Sequence, residues 1–493
     1  VKPAAPLSRF TWACIVLASA CGGSGGPPAP LECVDNICPC NEGGIRGAIA
    51  QGPGTYTFDC EEPTTITTSQ EIELDEDVVL DGRGLLTVDG GQRHRVFSVP
   101  SDRTVGLVGL AIINGNETDE HGGGVRNEGT LTVESCTLSG NNAGRAGGCR
   151  TNDLSLLCSE GGAIWNTGTL TVSATTMTGN SAHFGGAIGN RAGATTVLDA
   201  EIIGNLASGC RGVGAVVCSG GGGVWNSATL TMENTRVEDS TADWGAALYT
   251  RAAATLTRCT FLDNAAGFDG GGALNFETLE LVATSFDGNT AGQNGGGIAN
   301  PSPGVLSVTT STLSNNQAAS AGGGVYNPSG ASAAMMSSTL SSNTAETGGG
   351  IYTGGNLELR SSTLASNQAS TASALFGTSS LDAERVVALS LIDGDCAGAL
   401  FESGGYNVEG PGDTCGLDDV SDETAASGLE LEPLRDNGGP TETHALGASS
   451  IAVDFIPEGD CVDGVGDPLE TDQRSEPRPA GAGCDAGAFE TQL

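Results

Sequence analysis

The chain has 493 residues, a formal charge of −39 with only 20 lysines and arginines, 78 glycines and 4% aromatic residues. Clustered basic side chains able to neutralise phosphates are missing, so nucleic acid is excluded as an expected partner. So much glycine with so few rings does not suit a compact globule and points to a repeat architecture, whose acidic surface favours solubility and allows weak Ca²⁺ binding but suggests no other cofactor.

Lys2 and Arg9 precede a short apolar run over residues 10–18, and small residues lead into Cys21. The run is too short to span a bilayer and reads as the core of a signal peptide over residues 1–20. Cys21 is the expected lipidation site, and residues 21–32, rich in Gly, Ser and Pro, form a flexible tether. The 16 cysteines lack zinc-finger or CxxC spacing, which indicates an oxidising compartment. An N-terminal cap is expected over 33–62, with Cys33, Cys38, Cys40 and Cys60 paired in an order the sequence leaves open. Within it, residues 43–50 read as an amphipathic helix plugging the first coil. Segments 78–82 and 85–90 read as the first strands of a solenoid spanning 63–405.

One pattern recurs through that span. A bulky apolar residue, two small or polar residues and an Asn appear at 113–116, 138–141, 177–180, 202–205, 261–264, 286–289, 313–316, 340–343 and 364–367, with Ser240 replacing Asn in one degenerate copy. A glycine cluster running into an apolar residue follows, as at 122–125, 161–164, 185–188, 221–224, 271–274, 295–298, 322–325 and 348–351, often with Asn two places on. A short strand alternating Leu or Val with Thr completes the unit. Asn264, Asn289, Asn316, Asn343 and Asn367 are spaced by about 25 residues, enough for three short strands and three turns, which is one coil of a right-handed parallel β-helix. Alternation buries one face of each strand, and stacking brings Asn over Asn, where left-handed backbone and amide hydrogen bonds between coils are expected at the corner.

Two coils carry insertions at equivalent places, Cys149 to Cys158 and Cys210 to Cys218, which implies two local disulfides closing protruding hairpins. Cys136 and Cys259 share a repeat position four coils apart, roughly 19 Å at about 4.8 Å per coil, too far to bridge, and are expected as buried thiols. Cys396 with Cys415 and Cys461 with Cys484 are the remaining expected pairs. Trp165, Trp225, Tyr249, Tyr326 and Tyr352 follow the apolar residue of the glycine segment, so alternation should turn them outward. Such a stripe suits sugar stacking; plain stacking between neighbouring coils is the alternative.

The glycine and Asn repeats resemble those of polymorphic outer membrane proteins and related bacterial right-handed β-helix proteins. Residues 434–446, Leu-Arg-Asp-Asn-Gly-Gly-Pro-Thr-Glu-Thr-His-Ala-Leu, with 472–479 and 484–490, resemble the close of choice-of-anchor Q proteins, so a capping module is expected over 406–493. The resemblance implies a protein of the bacterial outer membrane or cell surface and an adhesive role. A C-terminal translocator barrel, usual in the polymorphic group, has no counterpart in the alternating pattern here, and a lipid anchor at Cys21 would replace it.

An enzyme is the rival reading, since many β-helices cleave polysaccharides. His94, His121, His183 and His444 join no triad, HExxH or acid pair. Asp81, Arg83, Asp89, Arg93, His94 and Arg95 form the densest charged group, yet the two Asp-Gly pairs there are ordinary turn chemistry. The expectation is therefore a monomeric, non-enzymatic surface protein that binds a glycan or another cell-surface partner, with a polysaccharide lyase or hydrolase as the alternative. No catalytic residues are assigned.

Overall fold

A computed structural model describes residues 26–118, 121–144, 150–152, 155–209, 219–380, 382–399 and 401–492. It is a parallel β-solenoid of about 13 turns, with helix α1 (Glu42–Ala50) sealing its first coil. Asn41 caps the helix by accepting the Gly44 N–H at 2.9 Å, and Glu42 sits where the helix dipole favours an acid. Ile45, Ala48 and Ile49 complete the core beneath. Cys33 pairs with Cys38 and Cys40 with Cys60, resolving the order that spacing left open.

Each coil supplies two strands to a broad face, one to a narrow face and one to a third face. In a typical coil these are Val125–Asn127 on the third face, Thr130–Glu134 and Thr137–Ser139 on the broad face, and Asn142–Ala143 on the narrow face. Among the described residues the broad, narrow and third faces hold 27, 10 and 13 strands respectively. Register is set by the repeat: Leu131 lies beside Leu170 and Val133 beside Val172, all inward and buried, with threonines between them facing out. Phe261 stacks on Phe286 inside, with centroids 4.5 Å apart and rings 5° from parallel.

The corner asparagines are buried and form ladders. Asn264 Nδ2 donates to Asn289 Oδ1 at 2.9 Å, Asn289 to Asn316 at 2.9 Å, Asn316 to Asn343 at 2.9 Å and Asn343 to Asn367 at 3.0 Å. Each amide also meets a backbone carbonyl, as Asn289 Nδ2 does with Phe261 O at 2.9 Å, so no polar atom of the rung is stranded. The left-handed residue, expected to be the Asn itself, is the one before it. Gly140, Gly179, Gly204, Asp239, Asp263, Gly288, Asn315, Ser342 and Ser366 have φ between +51° and +67°. That turn leaves the Asn free to point its amide inward.

Two copies sit one residue away from where the motif places them. Gly115, not Asn116, occupies the ladder position, since Asn116 pairs with Asn142 and Gly115 N donates to Asn141 Oδ1. In the copy at 271–274, Ala273 faces inward and Leu274 outward, because left-handed Gly270 sets the turn and Ala273 aligns with Leu248. Cys136 and Cys259 are free and buried, as expected. They stand in a second inward ladder of hydroxyls, their backbone N–H groups donating to Thr175 Oγ1 and Thr284 Oγ1.

The broad face ends with Val408–Gly410, paired to Leu391–Asp393, and Cys396–Cys415 ties this last turn. The chain then folds back along the outside of the broad face instead of only stacking on its end. Gln473, fully buried, accepts the Thr339 hydroxyl at 2.6 Å and donates to Thr312 Oγ1 at 2.8 Å. His444 Nδ1 donates to Glu432 O at 2.7 Å, since a carbonyl can only accept, and Nε2 accepts the Ser341 hydroxyl at 2.9 Å. Outward Thr312, Thr339 and Thr363 are consequently buried, whereas Thr176, Thr260 and Ser285 in earlier coils are half-buried. Cys461–Cys484 and the buried Arg478–Glu490 pair at 2.9 Å hold this returning strap.

Candidate functional site

The outward row of the third face is the chemically distinctive surface. Its register runs Ser98, Arg126, Trp165, Gly189, Trp225, Tyr249, Leu274, Ala299, Tyr326, Tyr352 and Phe376. All five aromatic residues expected from the motif fall in this single row. The tryptophans do not stand out in solvent, however: Trp165 is 9% and Trp225 5% exposed. Alternation turns them outward correctly, but neighbouring coils cover them. His121 stacks on Trp165 at 4.8 Å and 8°, and Arg126 lies over it at 5.5 Å. Phe184 leans on Trp225 at 5.6 Å, with Arg191 over the same ring at 5.6 Å.

Between the indoles lies Gly189, and the space above it is taken by Glu160. A Cβ on Gly189 would come 3.0 Å from Glu160 Cβ. Glu160 is buried, accepts Trp165 Nε1 at 3.0 Å and pairs with Arg191 at 3.0 Å. Burial pushes its carboxyl above the usual range, with the Arg191 charge and the two hydrogen bonds opposing. This end of the row is thus a closed stack of rings and ions.

Further along, the rings are half-buried and present faces or edges to solvent. Tyr326 stacks on Tyr352 at 5.1 Å, and Tyr352 on Phe376 at 5.3 Å. Tyr249 touches Phe276 at 5.6 Å, and Trp244 stacks on Phe268 at 4.9 Å. Stacking between coils, the alternative reading of the stripe, therefore accounts for the Tyr326–Tyr352 geometry. The motif missed Phe184 and Trp244, whose shared place just before the glycine cluster was the available signal: both bridge Gly220 in one column. Phe376 was hidden because Ser373 and Ala374 replace the usual glycines.

At the N-terminal end the row opens into a cavity of about 430 Å³ lined by Glu71, Glu73, Arg95, Ser98, Arg126 and Glu128. Arg95 is buried, donates to the carbonyls of His121 and Gly122, and pairs with Glu71 at 2.9 Å and Glu117 at 3.3 Å. Arg126 pairs with Glu128. Carboxylates and guanidiniums grouped beside an aromatic row are the side-chain types that hydrogen-bond hydroxyl-rich ligands.

Among the described residues, no group of three or more His, Cys, Asp or Glu is placed to hold a metal, and no helix is long and apolar enough to cross a membrane. The signal segment, Cys21, Cys149, Cys210 and Cys218 lie outside the described residues. Cys158 is disulfide-bonded, and the backbone of Arg150–Asn152 pairs antiparallel with Ser155–Leu157, as a protruding hairpin requires.

These features define a capped parallel β-solenoid with Asn ladders and one aromatic face. Residues 283–301 and 310–328 match the Chlamydia polymorphic membrane protein repeat, each stretch covering an Asn corner and the glycine cluster after it. No curated protein and no solved structure matches the chain.

Proposed function

We propose that this chain is a non-enzymatic surface protein that binds glycans along the third face while anchored to the bacterial outer membrane through a lipid on Cys21. The observation that carries the reading is the gathering of rings: Trp165 and Trp225, with Tyr249, Tyr326, Tyr352 and Phe376, share one row of the third face, although rings make up only 4% of the sequence. Stacked side chains held by a rigid ladder lose little entropy when a pyranose ring lies on them. The association of the matched repeat with the bacterial surface supports the location. Clustered carboxylates and guanidiniums at the cavity supply polar partners for sugar hydroxyls.

The roles of the five motif residues divide by burial. Tyr249, Tyr326 and Tyr352 are the contacts open to a ligand, while Trp165 and Trp225 stiffen the platform. A glycan array probed with the chain from residue 22, with and without Ca²⁺, tests the proposal. Saturable binding that Tyr326→Ala and Tyr352→Ala together weaken at least tenfold supports it. Release of shortened products from a bound polysaccharide would replace it with the enzyme reading.

A further inference from the structure

We propose that the N-terminal tip of the solenoid, formed by Leu31, Val34 and Ile37, beds into the lipid surface to which the chain is tethered. This rests on the reading of Cys21 as a lipid anchor. The three side chains are 43%, 68% and 50% exposed, and they are three of the seven large hydrophobic residues left exposed in the described chain. The other four, Leu206, Val305, Val420 and Val465, are scattered in sequence. Three exposed apolar residues within seven positions at one extremity ask for a partner, whereas single exposed residues do not.

The tip is built rigidly. Cys33–Cys38 closes a tight loop, with Asp35 and Asn36 in the left-handed region at φ +53° and +64°. Val34 and Ile37 exchange backbone hydrogen bonds at 3.0 and 2.9 Å, and Leu31 N donates to Gly43 O at 2.9 Å. The apolar side chains are thereby displayed without further ordering on contact. Ile37–Pro39 is also the terminal rung, paired with Gly54–Asp59 on one side and carrying only the Val34 bridge on the other.

Chain length supplies the occupant. Ten residues reach at most roughly 35 Å even fully extended, so an acyl chain on Cys21 would keep Leu31 within that distance of the headgroups. At the millimolar-scale effective concentration of such tethering, apolar contacts too weak to recruit a free protein become occupied. Glu32 and Asp35 flank the tip and the chain carries −39 overall, so the surface it fits is zwitterionic.

The test replaces the acyl group, so that it does not depend on lipidation. The chain from residue 22 is held by an N-terminal hexahistidine on phosphatidylcholine vesicles containing nickel-chelating lipid, and Ile37→Trp is compared on ordinary and brominated phosphatidylcholine. The expected result is loss of about a quarter of the tryptophan emission on brominated lipid, reversed by adding Val34→Asp, with wild type and Val305→Trp unquenched. Equal emission of Ile37→Trp on both lipids overturns the proposal, as does equal quenching of Val305→Trp. Radioactive fatty-acid labelling of cells expressing the full chain and its Cys21→Ser variant separately decides the anchor.

Discussion

Gln473 Nε2 lies 2.8 Å from the hydroxyl of Thr312, 161 residues away in sequence, and its Oε1 accepts from Thr339 in the next coil. One amide thus bridges two rungs of the broad face to the strap that covers them. Gln473→Ala would leave several buried hydroxyl and carbonyl groups without partners, at about 1–3 kcal/mol each before relaxation. Hydrogen exchange should then quicken at Thr312–Ser314 and Thr339–Ser341 while Thr176–Thr178 stays protected. Uniform protection across all three would show that the strap is held by other contacts.

Asn289 sits mid-ladder, accepting from Asn264 and donating to Asn316. Asn289→Ala removes both links and opens a polar gap, and a loss of roughly 2–4 kcal/mol is expected in urea unfolding. The exposed Asn234→Ala, whose bond to Asp199 lies on the surface, should cost less than about 1 kcal/mol. Equal losses would remove the ladder's claim to stability.

Cys136 and Cys259 occupy rungs that Thr175, Thr235, Thr284, Ser311 and Ser338 fill in other coils, with Ala200 and Leu110 in the same column, and burial pushes both thiols up to about 11. Neither should react with a maleimide in the native state at neutral pH. Cys136→Thr and Cys259→Thr should each leave stability within about 1 kcal/mol of wild type, because a hydroxyl fits the same rung. Rapid native labelling would contradict this placement.

Trp165 and Trp225 are part of the structure first. Trp165→Ala vacates a ring packed by His121 and Arg126 and strips Glu160 of its indole donor, so about 3–5 kcal/mol should be lost. Tyr352→Ala, at a half-buried ring, should cost clearly less. A denaturation midpoint for Trp165→Ala equal to wild type would return this residue to the exposed, ligand-facing class.

Glu160 gives a pH dependence of definite sign. Its folded carboxyl titrates above the ordinary value of 4.5 because burial disfavours the charge. The associated stability is present in full below the unfolded value and is lost as pH rises through the folded one. Relative to Glu160→Gln, the wild type should therefore gain stability as pH falls from 7 toward 4.5. The change in urea midpoint between the two proteins reads this directly, and a shift in the variant's favour on acidification would refute it.

Much of the fold was legible because its determinants are local and repeated. Eight Asn corners in phase leave few alternatives, and they identify both the rung and the inward face. Register slipped where a marker was ambiguous: two asparagines flank Gly115, and Leu274 looks like the buried residue although left-handed Gly270 decides the phase. The aromatic row was legible as a row, but not its burial, since what covers Trp165 comes from His121 one coil earlier and Glu160 in its own coil. The strap was legible as a motif and not as a position. Nothing near Gln473 in sequence announces that its amide ends between Thr312 and Thr339.

The fold-back has a mechanical consequence. Because the strap returns along the broad face, the last described residues lie beside the strand Thr363–Ala365, where Ala488 N meets Thr363 Oγ1 at 2.9 Å, and not beyond the final coil. A pull applied to the C-terminus meets the contacts of Gln473, His444 and Ala488 before it reaches the terminal rungs. These bonds are spread along the axis and strained together, whereas peeling would break rungs one at a time. Under load between an anchored N-terminus and a captured C-terminus, the strap should act as a shear clasp, visible in force–extension curves as one high-force event preceding the stepwise loss of coils.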